Sequence, residues 1–408
     1  MNDIIEFLKQ IKDLNKRVGG DVYIVGGFIR DRLFNSKANI HDLDLVYSGD
    51  IEKFIGELNK LGYNFSTLKE NKNTYRHKCI DLTIDISLIN GDNIEDDLSK
   101  RDYTVNAICM KLIENKIIDP FKGRRAIKSR IIKQVNEHSL EDDPVRILRG
   151  IRMYINHGMH FNFDTEKKLI NAACELKNCE RQRVFDEFMK IIDCDTEGKA
   201  FEILDNYGVL KNMFPYIDEL KTVGKCKYHI EDAFTHMNLT YQVFKDVLNK
   251  RISVEEFNVN EMYENLGEFN LKDYIGIACF LHDIGKFKCY KKEGDKVSFS
   301  GHEIEGANIV KSICEDMSFP KEAAVFLENI VEAHMIPLGI FKMNSEKQKQ
   351  ALKDFFNKYN RYVPYILIVS FCDNYATNML TIHNDEKLSF KQFIQNLLLE
   401  YKRYCKKI

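Results

Sequence analysis

Asp42 and Asp44 are separated by one apolar residue, Leu43, and run into the apolar Leu45, Val46 and Tyr47. On a β-strand, residues two apart face the same way, so both carboxylates project from one face. At that range they repel, and one protonates unless a cation lies between them. A hard divalent cation such as Mg²⁺ fits, because it takes oxygen ligands from carboxylates and phosphates alike. Just upstream, the apolar residues 22–25 stop at Gly26 and Gly27, where small residues let backbone approach a ligand closely. A helix is predicted over 28–34, with Arg30 in its first turns. The N–H groups and dipole at its start favour anions. Taken alone, each half reads as a glycine turn or a solvated acidic pair. In this order they suggest a site for a metal-bound nucleotide, with Gly26, Gly27 and Arg30 against the phosphates.

Further polar groups follow. In KRDYTVNA, Arg101 can pair with phosphate, while Asp102 and Asn106 can hydrogen-bond a ribose hydroxyl. A capped helix start is compatible with the same residues. In DDPVRILR, Pro144 opens a helix whose apolar side is Ile147, Leu148 and Ile151. Asp143 and Arg146 stand three apart on one face, with Arg149 a turn further on. The segment DLTIDISLI alternates, so Asp81, Thr83 and Asp85 share a face. Asp85 is either a third carboxylate beside Asp42 and Asp44 or an exposed strand residue. The basic run 122–133, KGRRAIKSRIIK, reads as a track for an RNA backbone or as a solvated face.

From residue 227 histidines and aspartates recur in helical contexts. FLHDIGKF sets His282 and Asp283 at the end of an apolar helix, and SGHEIEGA and VEAHMIP place His302 and His334 beside helices. With His229, His236 and Asp373 these form a candidate metal constellation. Imidazole and carboxylate suit Mn, Fe, Ni, Zn or Mg, and a bound ion would activate water against a phosphate ester. Lys286 is placed to hold a phosphate.

The elements that position these groups are mixed at first and helical later. An amphipathic helix with Ile4, Ile5, Phe7, Leu8, Ile11 and Leu14 opens the chain. A helix over 51–61 turns Ile51, Phe54, Ile55 and Leu58 inward, and strands are predicted around 63–68 and 77–88. Residues 95–101 read as a charged connection, and Asp119-Pro120 with Gly123 as a turn. The 408 residues are enough for several domains, and a net charge of −2 confines nucleic-acid contacts to local patches. The 11 cysteines are scattered, with no CxxC pair. With no secretory signal in the N-terminal residues, they imply reduced thiols and a cytoplasmic setting. No apolar run of membrane-spanning length is apparent, so no membrane partner is expected.

The glycine turn with Asp42 and Asp44, RDYTVNA, the DPFKG turn and DDPVR together resemble the class II transfer-RNA nucleotidyltransferases, which add CCA to RNA 3′ ends and include bacterial poly(A) polymerases. Asp142 stands where that family has Glu, and Gln182 where its ERxxxE motif starts with Glu. Arg183 and Glu187 of that motif would stiffen a neck. The histidine pattern resembles HD-type metal phosphohydrolases. On that pattern His236, His282, Asp283 and Asp373 are metal ligands, and His302 and His334 the extra ligands of two-metal members. The resemblances imply an α+β protein: a head with a small mixed sheet over 1–124, an all-α neck and body over 125–224, an all-α HD domain over 225–385 and a helical tail over 386–408. They further imply a transferase working on the 3′ end of transfer RNA. CTP and ATP are its substrates, Mg²⁺ on Asp42 and Asp44 its catalytic metal, and Asp143 with Arg146 its template for C or A. An A-only, CC-only or poly(A) enzyme shares every motif. An HD hydrolase with an RNA-binding, transferase-like head is a further alternative.

Overall fold

A computed structural model describes residues 2–35, 42–68, 71–79, 82–224, 231–294, 296–379 and 384–406. His229 and Asp81 lie outside the described residues. The chain forms two compact units, Met1–Leu169 and Ile170–Ile408.

The first unit runs α1 (Asn2–Val18), β1 (Asp21–Val25), α2 (Gly27–Phe34), β2 (Asp42–Ser48), α3 (Ile51–Lys60), β3 (Ser66–Leu68), β4 (Asn71–Lys78), β5 (Thr83–Leu88), α4 (Ile94–Ser99), β6 (Cys109–Lys111) and β7 (Lys116–Ile118). Then come α5 (Gly123–Ser129), β8 (Ile131–Ile132), α6 (Ser139–Asp142), α7 (Val145–His157), β9 (His160–Phe161) and α8 (Phe163–Ala172). Strands β1 to β7 form one mixed sheet in the order β3-β4-β5-β2-β1-β6-β7. β2 lies at its centre, antiparallel to β1 and parallel to β5. At its start one face is buried: Leu43 and Leu45 are buried, Asp42 is exposed and Asp44 half-buried, whereas further on Val46, on the face of Asp44, is buried as well. α1 buries Ile4, Phe7, Ile11 and Leu14 but leaves Ile5 exposed, and α3 buries all four expected residues.

Three expectations need correction here. The strand predicted over 77–88 is two strands, because His77 belongs to β4 and residues 83–88 to β5, its antiparallel neighbour. Residues 95–101 are largely helix rather than connection: the Asn93 side chain accepts from Asp96 N at 3.0 Å and caps α4. The regions after the head are predominantly rather than wholly helical. β8 and β9 form a short parallel ladder, and two more ladders occur in the second unit.

The second unit continues with α9 (Arg181–Cys194), α10 (Ala200–Asn206), α11 (Ile217–Leu220), α12 (Ala233–Leu248), β10 (Asn265–Leu266), β11 (Phe269–Asn270), α13 (Leu271–Leu281) and α14 (Lys286–Cys289). It ends with β12 (Lys291–Glu293), β13 (Lys296–Ser298), α15 (His302–Asp316), α16 (Lys321–Ala333), α17 (Ile336–Phe341), α18 (Ser345–Tyr359), α19 (Val363–Met379) and α20 (Asn384–Cys405). α13 is buried along its whole length, and α12, α16 and α19 pack around it. Apart from Lys272 and Asp273, which pair at 2.7 Å, α13 is apolar on every side, as such a central position demands. α20 packs on α19 and buries Phe390, Ile394 and Leu397. Lys321–Phe341 is long and apolar enough to span a membrane. It is nonetheless two helices, α16 and α17, and α16 buries Phe326, Leu327, Ile330 and Val331 in the core.

Candidate functional site

The head site gathers on the ends of β1, β2 and β5. Asp44 and Asp85 are register partners across the parallel pair, and Asp42 lies two residues before Asp44 on the same strand. Strand alternation therefore sets all three carboxylates on one face. Burial raises the pKa of Asp44, and Asp85 and Asp42 raise it further, against Arg101 and Arg149. That is the electrostatic situation a divalent cation relieves. Asp85 also accepts from Arg76 Nε at 2.7 Å and Nη2 at 2.6 Å, a bidentate clamp that orients it.

Gly26 has φ +65, and a Cβ there would lie 3.3 Å from Arg101 Nη1 and 3.8 Å from Asp44 Oδ2. The glycine therefore keeps open the space between a cation and the carboxylates. Its own N–H, however, donates to Ile108 O at 3.3 Å, tying β1 to β6. The donors left at the start of α2 are those of Gly27, Phe28 and Ile29, since the first intrahelical bond is Arg30 N to Gly26 O at 3.1 Å.

Arg30 is buried, and its guanidinium is engaged. It donates to Asp31 Oδ1 and Oδ2 at 2.8 and 3.1 Å and to Asn106 Oδ1 at 2.7 Å. Asn106 Nδ2 donates in turn to Asp102 Oδ1 at 2.9 Å, and Arg149 Nη1 stands 3.9 Å from Asp102 Oδ2. The residues of RDYTVNA thus form a chain of polar contacts reaching from α2 to α7. Their local form is a tight 3₁₀ turn, Thr104–Asn106. Arg101 pairs with Asp97 of α4 at 3.2 Å.

Asp143 and Arg146 meet, but not as residues of one helix. Asp143 is extended, Pro144 is the cap, and α7 starts at Val145. Arg146 Nε lies 3.8 Å from Asp143 Oδ2. Its other nitrogens donate to Ser139 Oγ at 2.9 Å, Ser139 O at 3.1 Å and Lys100 O at 2.8 Å. The Tyr103 hydroxyl donates to Arg146 O at 2.8 Å. A Cβ at Gly150 would fall 2.3 Å from that hydroxyl, so α7 needs glycine there to seat Tyr103. These contacts hold the guanidinium in one orientation. Of the ERxxxE-like segment, Gln182 Nε2 donates to Asp186 at 2.8 Å and Lys190 pairs with Glu187 at 3.7 Å.

The second unit brings together six of the predicted ligands. His236 (α12), His282 and Asp283 (following α13), His302 (first residue of α15), His334 (cap of α16) and Asp373 (α19) supply three overlapping sets with ligand atoms within 4.8 Å of one another. The ring orientations are informative. His282, His302 and His334 each donate Nδ1–H to a backbone carbonyl, of Cys279, Phe299 and Val331, at 2.8, 2.9 and 2.7 Å. A carbonyl can only accept, so in the neutral rings the Nε2 lone pair is free. All three Nε2 atoms are buried without a hydrogen bond among the described residues. They point at Asp283, at 3.1, 3.2 and 4.0 Å. Tautomers fixed through Nδ1 with Nε2 converging on carboxylates are the donor set of a metal centre. His236 Nε2 lies 2.9 Å from Asp373 Oδ1, and its Nδ1 faces Glu231 at 3.3 Å. Glu231 had no distinguishing signal in the sequence.

The charges of the cluster act strongly on one another. Burial opposes charge on His282, but Asp283 and Asp373 outweigh it and raise it to about 10. His334 drops to about 3 through burial and the neighbouring His282 and His302. Burial opposes charge on both aspartates too, yet Asp283, next to His282 and Lys286, and Asp373, hydrogen-bonded to His236 and 3.7 Å from His282 Nε2, are held well below the carboxylate range. Lys286 Nζ lies 2.5 Å from Asp283 Oδ2 at the edge of the cluster.

Fold and site define a nucleotidyltransferase-type head and neck followed by an HD-type metal domain. The matching family models agree: "Poly A polymerase head domain" over residues 22–133, "Probable RNA and SrmB-binding site of polymerase A" over 158–221 and "HD domain" over 257–378. The chain has the head, neck and HD architecture of the CCA-adding and poly(A) polymerase nucleotidyltransferases. It is 26% identical over 354 residues to the "Multifunctional CCA protein" of Pseudoalteromonas atlantica, covering 83% of this chain and 80% of that one. It is 26% identical over 253 residues to the "A-adding tRNA nucleotidyltransferase" of Deinococcus radiodurans, covering 60% of this chain and 54% of that one. Among solved structures, a "tRNA-processing enzyme (apo form I)" shares the fold at TM-score 0.65 and 18% identity, with 98% of each chain covered. His236 lies before the stretch matched by the HD model, yet the structure sets its Nε2 2.9 Å from Asp373 Oδ1.

Proposed function

We propose that this chain adds CCA to the 3′ end of transfer RNA from CTP and ATP in the cytoplasm, and that its HD domain is an active metal-dependent phosphatase or phosphodiesterase. The observation that carries the first reading is Asp44, crowded by Asp42 and Asp85 and facing the clearance at Gly26. Asp42 and Asp44, with Asp85 beside them, would hold Mg²⁺. The bound ion supplies charge that acidifies the RNA 3′-hydroxyl and steadies the triphosphate. Gly27 and the first N–H groups of α2 take triphosphate oxygens, with Arg101 alongside. Arg30, bonded to Asn106, fixes the turn whose Asp102 and Asn106 face the sugar. Asp143 accepts from the exocyclic amine of C or A, and Arg146 donates to ring acceptors; G and U present the opposite pattern.

The second reading rests on three buried, unbonded Nε2 atoms around Asp283. With an ion there, Lys286 is placed to take a phosphate oxygen. The test of the first is extension of transfer RNA lacking its 3′ end, with CTP and ATP supplied separately and together. CC, then A, then arrest supports CCA addition. A alone, CC alone or long A tails identify an A-only, CC-only or poly(A) enzyme, and no extension defeats the reading.

A further inference from the structure

A cluster of exposed cations lies at the far end of α2 from the glycine pair. There α2 and α5 border a groove of about 710 Å³. Its rim carries Lys122, Arg124, Arg125, Lys128 and Arg130. All five are exposed, and among the described residues none of the first four is in an ion pair. The only acid on the rim, Asp119, is occupied: its carboxylate accepts from Gly123 N at 2.6 Å and Arg124 N at 3.0 Å, capping α5. The floor is apolar. It is made of Leu33, which is 39% exposed, the half-buried Phe34 and Ile127.

Lys122 and Arg130, at the two ends of α5, both adopt left-handed backbone, φ 58 and 55. Arg130 Nη1 donates to His157 O at 2.7 Å, so the groove wall is anchored to α7. A Cβ at Gly123 would meet Thr104 O at 2.2 Å, which packs the start of α5 against the turn of the nucleotide site.

On a chain of net charge −2, five cations around an apolar floor match a polyanion with flat apolar faces. We infer that the α2–α5 groove is an RNA-binding surface, taking the phosphodiester backbone on its rim and ribose or base faces on its floor. It lies outside residues 158–221, the stretch matched by the RNA-binding family model. The identity of the RNA as a transfer RNA rests on the proposed function; the groove itself does not. α2 spans eight residues, so the groove lies about 10 Å from the glycine pair at 1.5 Å per residue. That is near enough to guide a strand toward the head site.

The test is fluorescence-anisotropy titration of the full chain with 3′-truncated transfer RNA over a series of KCl concentrations. The variant is Arg124→Ala/Arg125→Ala/Lys128→Ala, and Lys347→Ala/Lys349→Ala/Lys353→Ala on exposed α18 positions removes the same charge elsewhere. Each phosphate contact contributes ~0.7 to ~0.9 to the slope of log affinity against log salt. The groove variant should lower that slope by about 2 to 3 and weaken binding on the order of 100-fold. CTP KM at saturating RNA and thermal unfolding should stay unchanged. Unchanged affinity and slope overturn the inference, as does an equal loss from the α18 variant. Loss of binding to anionic phospholipid vesicles with RNA binding intact also overturns it. If the wild type binds RNA through the groove yet extends no 3′ end, the proposed function fails and the groove stands.

Discussion

Gly26→Ala separates a backbone role from a ligand-binding one. Gly26 has φ +65 and ψ −127, backbone that only glycine adopts readily, and another residue held there costs about 1–3 kcal/mol. Gly62 provides a control that also has positive φ, +98, with nothing within 4 Å of its added Cβ. Both variants should therefore lose stability, by about 1–3 kcal/mol, in urea unfolding followed by circular dichroism. Only Gly26→Ala places its methyl beside Arg101 Nη1 and Asp44 Oδ2, where the account puts the triphosphate. Displacing one charge-assisted hydrogen bond costs about 1.5–3 kcal/mol. At 1.4 kcal/mol per factor of ten, KM for CTP and ATP should rise roughly 10- to 100-fold. Steady-state incorporation on 3′-truncated transfer RNA reads this directly. A Gly26→Ala enzyme with the stability loss but the KM of Gly62→Ala would refute the placement.

Other consequences follow from the same contacts. Gly150→Ala drives a methyl into the Tyr103 hydroxyl and should cost about 1–3 kcal/mol by overpacking. By loosening the support of Arg146 it should also raise misincorporation of G and U, read by sequencing extended 3′ ends. Asp42→Ala should abolish nucleotide addition and leave hydrolysis by the HD domain intact, and His282→Ala should do the reverse; loss of both activities from either change in folded protein contradicts separate sites. Chelation should lower the unfolding temperature of wild type but not of His282→Ala, by an amount equivalent to about 2.7 kcal/mol when free metal had stood at 100 times Kd. In the metal-free protein His282 titrates near 10, above its ordinary 6.5. Its contribution to stability is therefore present below pH 6.5 and is lost as pH rises through about 10. Metal binding at neutral pH should release a proton from this ring, measurable by calorimetry in buffers of different ionisation enthalpy. Absence of release would contradict Nε2 ligation.

What was legible in the sequence was what is local. Asp42-Leu43-Asp44 reads as two carboxylates on one face because strand alternation needs no knowledge of the rest of the chain. The inward faces of α1 and α3 were legible for the same reason, Ile5 excepted. Long-range pairings were not. The Arg76 clamp on Asp85 exists only because β4 folds back antiparallel on β5, and the bond from Gly26 N to Ile108 O only because β6 lies beside β1. The Nδ1–H bonds of the histidines to carbonyls three residues back are local in sequence. Their meaning appears only when α13, α15 and α16 bring the three Nε2 atoms together. Asp143 was expected on the helix, but Pro144 as cap leaves it extended one step outside.

The most direct measurement is anomalous scattering from Mn²⁺ in crystals soaked with CTP. The account predicts manganese between Asp42, Asp44 and Asp85, bridging to triphosphate oxygens at Gly27 and the start of α2. A bound CTP with its triphosphate elsewhere, and no manganese on Asp42 and Asp44, would contradict it.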